Sequence, residues 1–428
     1  MKKPLFPLLF IFSIWLTAYS QDIEYARFIV SKLASPDFKG RGYVGKGDKI
    51  SSHFIKNEFI RLGLQPLNNS YFQDFNISVN TFPGSTFLEI NNKVLEPGVQ
   101  FIVEACSPSV KGTFNTVPIS RYEISDKVIL LKKLREAAGA FLLIDNRQKT
   151  GENTDNTKGI DKTAESLKYD PEIRIKGVIV LTKERLVWEA STTVNCRPVI
   201  ILNADFDSSE VKYVKIDIKN KLIKDYATRN VTAIIRGSVI PDSFIVVTAH
   251  YDHLGMFGKD VYFPGANDNA SGIAMLLNLA KYYSLNKPRY SMVFIAFSAE
   301  ELGLIGANEF VNHPLIKLDR IKFLINFDLA GTGEEGIRVV NGSVYKDKFN
   351  LLAKINEENM LLPKIDLRGE ACISDHCPFF LHGVPCFYIY TQGGISAYHD
   401  IYDKSETLPF TEFNDYFILI VKFFNLIL

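Results

Sequence analysis

A charge excess of either sign is the plainest thing this sequence lacks. Its 428 residues carry 49 Lys and Arg against 48 Asp and Glu, a net charge of +1. A nucleic-acid partner would call for a basic excess, so none is expected. Cysteine is scarce: Cys106, Cys196, Cys372, Cys377 and Cys386. Five is an odd number, so at least one thiol is unpaired, and a disulfide scaffold is excluded. Cys372 and Cys377 are close enough to pair, or they stay as buried thiols. Membrane-length apolar runs are missing too. Residues 417–428 are interrupted by Lys422 and Asn425 and read as a packed helix. No stable membrane insertion is therefore expected. There is no internal repeat and no low-complexity tract. What remains, 46% hydrophobic and 23% charged residues, is ordinary globular composition.

The amino terminus has a definite order. Lys2 and Lys3 precede an apolar run, 4–16, and the small residues Ala18 and Ser20 follow. This is the order of a secretory signal peptide. The run is shorter than the roughly 20 residues of a membrane span. Cleavage after Ser20 is expected, which makes the protein exported, either periplasmic or secreted. No cysteine stands near the cut to carry a lipid. The remaining chain holds 47 basic and 48 acidic residues, since Lys2 and Lys3 go and no acid does.

Four segments are expected: a signal peptide at 1–20, an amino-terminal part of the main domain at 21–80, an inserted accessory domain at 81–224 and a carboxy-terminal domain at 225–428. Two helices open the chain, 23–33 and 50–62, separated by the flexible turn Lys39-Gly40-Arg41-Gly42-Tyr43. From 81 to 224 short strands dominate, with a helix at 125–138. The polar stretch 146–170 reads as a long exposed loop. From 230 onward buried strands and helices alternate. The expected fold is α/β, a three-layer sandwich with a mixed, mostly parallel central sheet, plus the inserted β-rich domain.

The chemistry collects beyond strand ends, where open α/β sheets bind ligands. Strand 244–248 leads to His250 and Asp252, strand 292–297 to Glu300 and Glu301, strand 323–327 to Asp328, and strand 384–390 to His399. A glycine-bounded loop, 264–272, brings Asp268 to a helix start. Singly these are ordinary residues: strand-end histidines are usually structural, and an Asp before a helix is usually a cap. Together, two histidines and three carboxylates form a nitrogen–oxygen donor set suited to zinc. Five ligands exceed one tetrahedral ion with an open position, but suit two ions sharing a carboxylate.

These residues lie in segments that resemble metallopeptidase family 28, of the two-zinc aminopeptidase type. The segments are Ala249-His250-Tyr251-Asp252-His253-Leu254-Gly255, the loop 265–272, Ala299-Glu300-Glu301-Leu302-Gly303, Asn326-Phe327-Asp328, and Tyr398-His399 with Asp403, all in family order. The resemblance covers 225–428, and more loosely Gly40-Arg41. Residues 81–224 are similar to the protease-associated domain often inserted in that family. The resemblance implies two Zn2+ ions bridged by Asp268. His250 and Asp328 would complete one, and Glu301 and His399 the other. Glu300 would be the general base, and Asp252 would orient His250 through its second ring nitrogen. Asp403 would support His399 similarly, and His253 and His376 would be structural or pocket-lining. The implied activity is removal of amino-terminal residues from peptides. The alternatives on the same scaffold are a glutaminyl cyclase and a zinc carboxypeptidase. A non-catalytic binding module would show broken ligand positions, and none is broken.

Overall fold

The computed structural model describes residues 22–147 and 157–427. The expected signal peptide and its cut after Ser20 lie outside the described residues. Among the described residues no helix is long and apolar enough to cross a membrane.

The main sheet has nine strands. Its centre is four mutually parallel strands, Tyr290–Phe297, Ile240–His250, Ile321–Asp328 and Cys386–Thr391. Antiparallel strands flank them, Lys221–Ile235 on one side and Ile337–Val340 on the other. Successive residues of the central strands enter different cores. Ile245, Val247 and Ala249 pack with the helices Ile23–Leu33, Gly272–Leu285 and Phe413–Ile427. Phe244 and Val246 pack toward the shorter helices Ile305–Asn312 and His376–Leu381. Side chains alternate across a strand, so a strand covered on both faces needs apolar residues at every position. That is why 244–249 reads as one uninterrupted buried run, and why the layers number three.

A second sheet of eight strands lies between residues 86 and 218. Strands Val110–Ser120, Phe141–Asp145, Gly177–Leu181 and Val199–Leu202 run parallel, and Thr86–Ile90 and Tyr213–Ile218 are antiparallel neighbours. The connection to the main sheet is a ribbon: Phe72–Thr81 pairs antiparallel with the long strand Lys221–Ile235. Two expectations fail here. The stretch read as exposed loop contains a helix, Thr157–Tyr169, whose Ala164 and Leu167 bury against Leu142, Ile144, Val178 and Val180. Its packed face is Ile160, Ala164, Leu167 and the terminal Tyr169, too narrow to stand out among polar neighbours. The single helix read at 125–138 is two, Arg121–Ser125 and Lys127–Glu136. Asp126 ends the first, and its carboxylate caps the amides of Val128 and Ile129 in the second.

Candidate metal centre

Each donor reaches the site from its own element. His250 is the last residue of strand Ile240–His250, and Asp328 the last of Ile321–Asp328. Glu300 and Glu301 follow strand Tyr290–Phe297. Asp268 sits in the turn Ala266–Ser271 that enters helix Gly272–Leu285. His399 lies in the loop after Cys386–Thr391, with φ of 52°.

The turn bearing Asp268 is anchored on three sides. Arg41 is fully buried, and its guanidinium donates to the carbonyls of Tyr251, Leu33, Pro264, Gly265 and Asp268 at 2.6–3.0 Å. The turn 39–43 is therefore an internal clamp and not a flexible link. Asp403 accepts from the amides of Asn267 and Asp268 at 2.8–3.0 Å. Asn269 donates to the carbonyl of Phe327 and accepts from the amide of Gly272. Gly265, with φ of +59°, has room for no side chain, because a Cβ would stand 2.2 Å from the Asp268 carbonyl and 2.5 Å from Arg41.

The geometry centres on Asp268. Its Oδ1 is 3.4 Å from His250 Nε2, and its Oδ2 is 3.0 Å from His399 Nε2. Asp328 Oδ2 lies 3.5 Å from His250 Nε2, and Glu301 Oε2 lies 3.3 Å from His399 Nε2. His250, Asp268 and Asp328 thus make one cluster of converging donors, and Asp268 also belongs to a second with Glu301. His253 and His399 both offer a nitrogen to that second cluster. His253 turns its Nδ1 to Glu301 Oε1 at 2.7 Å and does not line the cavity, whereas His399 does. His399 is the better donor, and His253 holds Glu301 in place.

The cavity has a volume of about 590 Å3. Glu189, Ala190, Leu304, Leu329, Ile373, Tyr388 and Tyr398 line it beside the donors, and among the described residues no Lys or Arg lines it. Asp252, Asp268, Asp328, Asp375 and Asp403 are all buried within or behind this wall. Burial pushes Glu300, Asp328 and Asp375 above the ordinary carboxylate range. For Glu300, Asp375, Glu301 and Asp328 add to the rise, and His250 opposes it. Burial raises Asp268 also, but the two histidines overcome it and hold it well below its usual value. Asp328 Oδ1 and both oxygens of Asp375 are buried without a partner. Buried carboxylates crowded together in this way call for cations. The donor set fits a pair of divalent ions sharing Asp268.

Two roles differ from expectation. His250 Nδ1 faces the main-chain oxygen of Asp252 at 3.2 Å, and the Asp252 carboxylate stands farther off, at 3.8 Å. That carboxylate instead accepts from the amide of Glu300 at 3.2 Å and from Tyr43 at 3.4 Å. Asp403 caps the Asp268 turn and does not reach His399. The residue that does is Trp188, whose carbonyl faces His399 Nδ1 at 3.0 Å. Nothing in the local sequence announces it. Cys372 and Cys377 are disulfide-bonded and bracket the buried Ser374 and Asp375, and Cys372 and Ile373 line the cavity.

Residues 230–424 match the model of peptidase family M28. The aminopeptidase YwaD of Bacillus subtilis (strain 168) is 29% identical over 197 residues, which cover 44% of this chain and 41% of that protein. Mouse aminopeptidase NAALADL1 is 36% identical over 124 residues, 27% of this chain and 15% of that protein. The alignments thus span less than half the length of these relatives. Among solved structures, BSAP, a zinc aminopeptidase from Bacillus subtilis, superposes with a TM-score of 0.69 at 22% identity, covering 94% of this chain and 95% of that one. A peptidase M28 precursor from Shewanella amazonensis SB2B gives 0.64 at 14% identity, covering 95% and 97%. At such identities the likeness shows the fold, and coverage that wide takes in the second sheet as well as the first. The fold is that of these solved structures, and every donor of the site lies within the residues that the family model matches.

Proposed function

We propose that this chain is an exported two-zinc aminopeptidase that removes residues from the free amino termini of peptides. One observation carries the reading: the two oxygens of Asp268 face His250 and His399 separately, with Asp328 beside the first and Glu301 beside the second. Bound there, zinc would polarise the scissile carbonyl and make a water molecule acidic at neutral pH. Glu300 lines the cavity next to this set and is not needed as a ligand. It takes the proton from the attacking water and passes it to the leaving amine. Asp252 fixes the backbone of Glu300 and so aims that base. Carboxylates line the cavity, and among its described lining residues there is no Lys or Arg, which favours a substrate with a free ammonium over one presenting a carboxylate. This is the reason to prefer an aminopeptidase to a carboxypeptidase. The relatives described as aminopeptidases support the same choice. The second lobe is read as an accessory domain of the protease-associated kind.

The test is Glu300→Ala, assayed on peptides with free and with blocked amino termini. Zinc content should remain near two per chain while hydrolysis falls by roughly 10²–10⁴-fold. The wild type should cleave only the free termini. A variant retaining most of its activity would remove Glu300 from the mechanism, and cleavage of blocked peptides would remove the aminopeptidase reading. Export is tested by the mass of the mature chain, expected to begin at Gln21.

A further inference from the structure

We propose that Trp188, a residue of the second lobe, is a positioning residue of the metal centre: its main chain sets the orientation of His399, so the lobe is part of one zinc site. The inference rests on the two-zinc reading above.

The contact is reciprocal. The amide of Trp188 donates to the carbonyl of His399 at 2.9 Å, and the carbonyl of Trp188 faces His399 Nδ1 at 3.0 Å. A carbonyl oxygen can only accept, so Nδ1 carries the proton. In the neutral ring that a metal ion requires, the lone pair is then left on Nε2, the nitrogen that faces Asp268 and Glu301. The ring plane and its tautomer are thus both dictated from Trp188.

Trp188 is itself fixed. Its indole Nε1 donates to the carbonyl of Val103 at 2.7 Å, which ties it to the second sheet. Its ring stacks on Phe263, with centroids 4.7 Å apart and planes at 23°, and meets Phe257 at 5.5 Å. Phe263 belongs to the segment that runs into the Asp268 turn. Arg185, three residues before Trp188, stands 3.3 Å from the carboxylate of Asp400, next to His399. The indole is therefore held against the segment that runs into the Asp268 turn, while the main chain of the same residue holds the His399 loop. Removing it would let the segment 185–190 drift and free the His399 ring to rotate, while His250, whose Nδ1 faces its own loop, would be untouched.

The experiment titrates zinc alone into metal-free wild type, Trp188→Ala and Trp188→Phe, reading stoichiometry and both affinities by calorimetry. His399 is followed by the nitrogen chemical shifts of its ring. In Trp188→Ala one ion should bind as in wild type and the other roughly 10–100-fold more weakly, the range found for loss of a ligand-orienting group. The Nδ1–H signal should change with it. Trp188→Phe keeps an aromatic plane on Phe263 and should restore most of the affinity. Equal weakening of both ions, or a lowered melting temperature with both affinities intact, overturns the proposal. Should Trp188→Ala fail to fold, Phe263→Leu takes its place: selective weakening is again expected, and unchanged binding of both ions overturns the proposal. A wild type that takes up no zinc sinks the metal reading itself. A wild type with two ions beside a Trp188→Ala chain with two unaltered ions sinks only the role of Trp188.

Discussion

His250 and His399 stand on either side of one carboxylate and are held in opposite ways. His250 ends a strand, and its outer nitrogen faces a carbonyl two residues along its own chain. His399 sits in a loop, and its outer nitrogen faces a carbonyl 211 residues away, in another lobe. One histidine is oriented by the end of its own strand and the loop that follows. The other, on the proposal above, takes its orientation from the second lobe. The local half should form wherever the central strands fold; the remote half adds the requirement that segment 185–190 be in place. A site assembled this way can lose one ion without losing the other, and substitutions can be chosen that strike both halves, one half, or neither.

The largest effect should come from what the halves share. Arg41 donates to five carbonyls and holds the turn bearing Asp268. Burial lowers its pKa to about 10, with Asp268 and Asp403 opposing the fall, so it stays charged at neutral pH. Arg41→Met leaves those carbonyls and the nearby carboxylates without their cation. Loss of one partner from a buried ionic network costs about 3–5 kcal/mol. Urea unfolding of the metal-free protein should register that loss, and both zinc affinities should fall together. Arg41→Lys should rescue little, since an ammonium has three donors and no planar fork. If only one ion were weakened, Asp268 would not be the common element of the two halves.

Protonation offers a second, smaller lever. Burial disfavours the charged His399 ring, but Glu301 and Asp268 outweigh it and raise its pKa to about 9. With an unfolded value near 6.5, the stabilisation from that charged ring is complete below pH 6.5 and is lost as pH rises through about 9. Asp252 and Asp403, raised by burial to about 7, act in the same direction at lower pH: they favour the folded state while protonated and lose that advantage between about 4 and 7. The metal-free protein should therefore melt at a lower temperature at pH 9 than at pH 6. Zinc needs the neutral ring, so its binding should release protons at pH 7 and tighten as pH rises toward 9. Melting curves and zinc titrations across pH 6–9 check both. A metal-free melting temperature that climbs over this interval would contradict the charge state assigned to His399.

The same contrast explains what could be read from the sequence. The main sheet was legible because strands covered on both faces are apolar along their buried runs, as 244–247 and 292–297 are. His250, Asp268, Glu300, Glu301, Asp328 and His399 were legible because strand ends and one glycine-bounded turn place them in order along the chain. The supports were not. Arg41 looks like part of a flexible turn until five carbonyls are seen around it. Trp188 lies in a segment with no motif, and the bond it makes runs from the main chain, which no side-chain pattern records. His253 differs from the ligands only in which way its ring points. The helix Thr157–Tyr169 was missed because its buried face is narrow. Each miss is a contact distant in sequence or a weakly marked face.

The smallest expected effect lies beside Trp188 and separates the two things its segment does. The polar partners of His399 are Trp188, Asp268 and Glu301, whereas Glu189 lines the cavity wall but is exposed. Its carboxylate would attract the ammonium of an incoming peptide without touching the metal ligands. An exposed charge of this kind is worth less than about 1 kcal/mol and is screened by salt. Glu189→Gln should raise KM by no more than about fivefold, leave kcat and both zinc affinities unchanged, and lose its effect in high salt. Steady-state kinetics at two ionic strengths provide the check. If Glu189→Gln instead weakened one zinc ion, the wall and the clamp would be a single rigid unit, and the remote half of the centre would extend past Trp188 to the cavity rim.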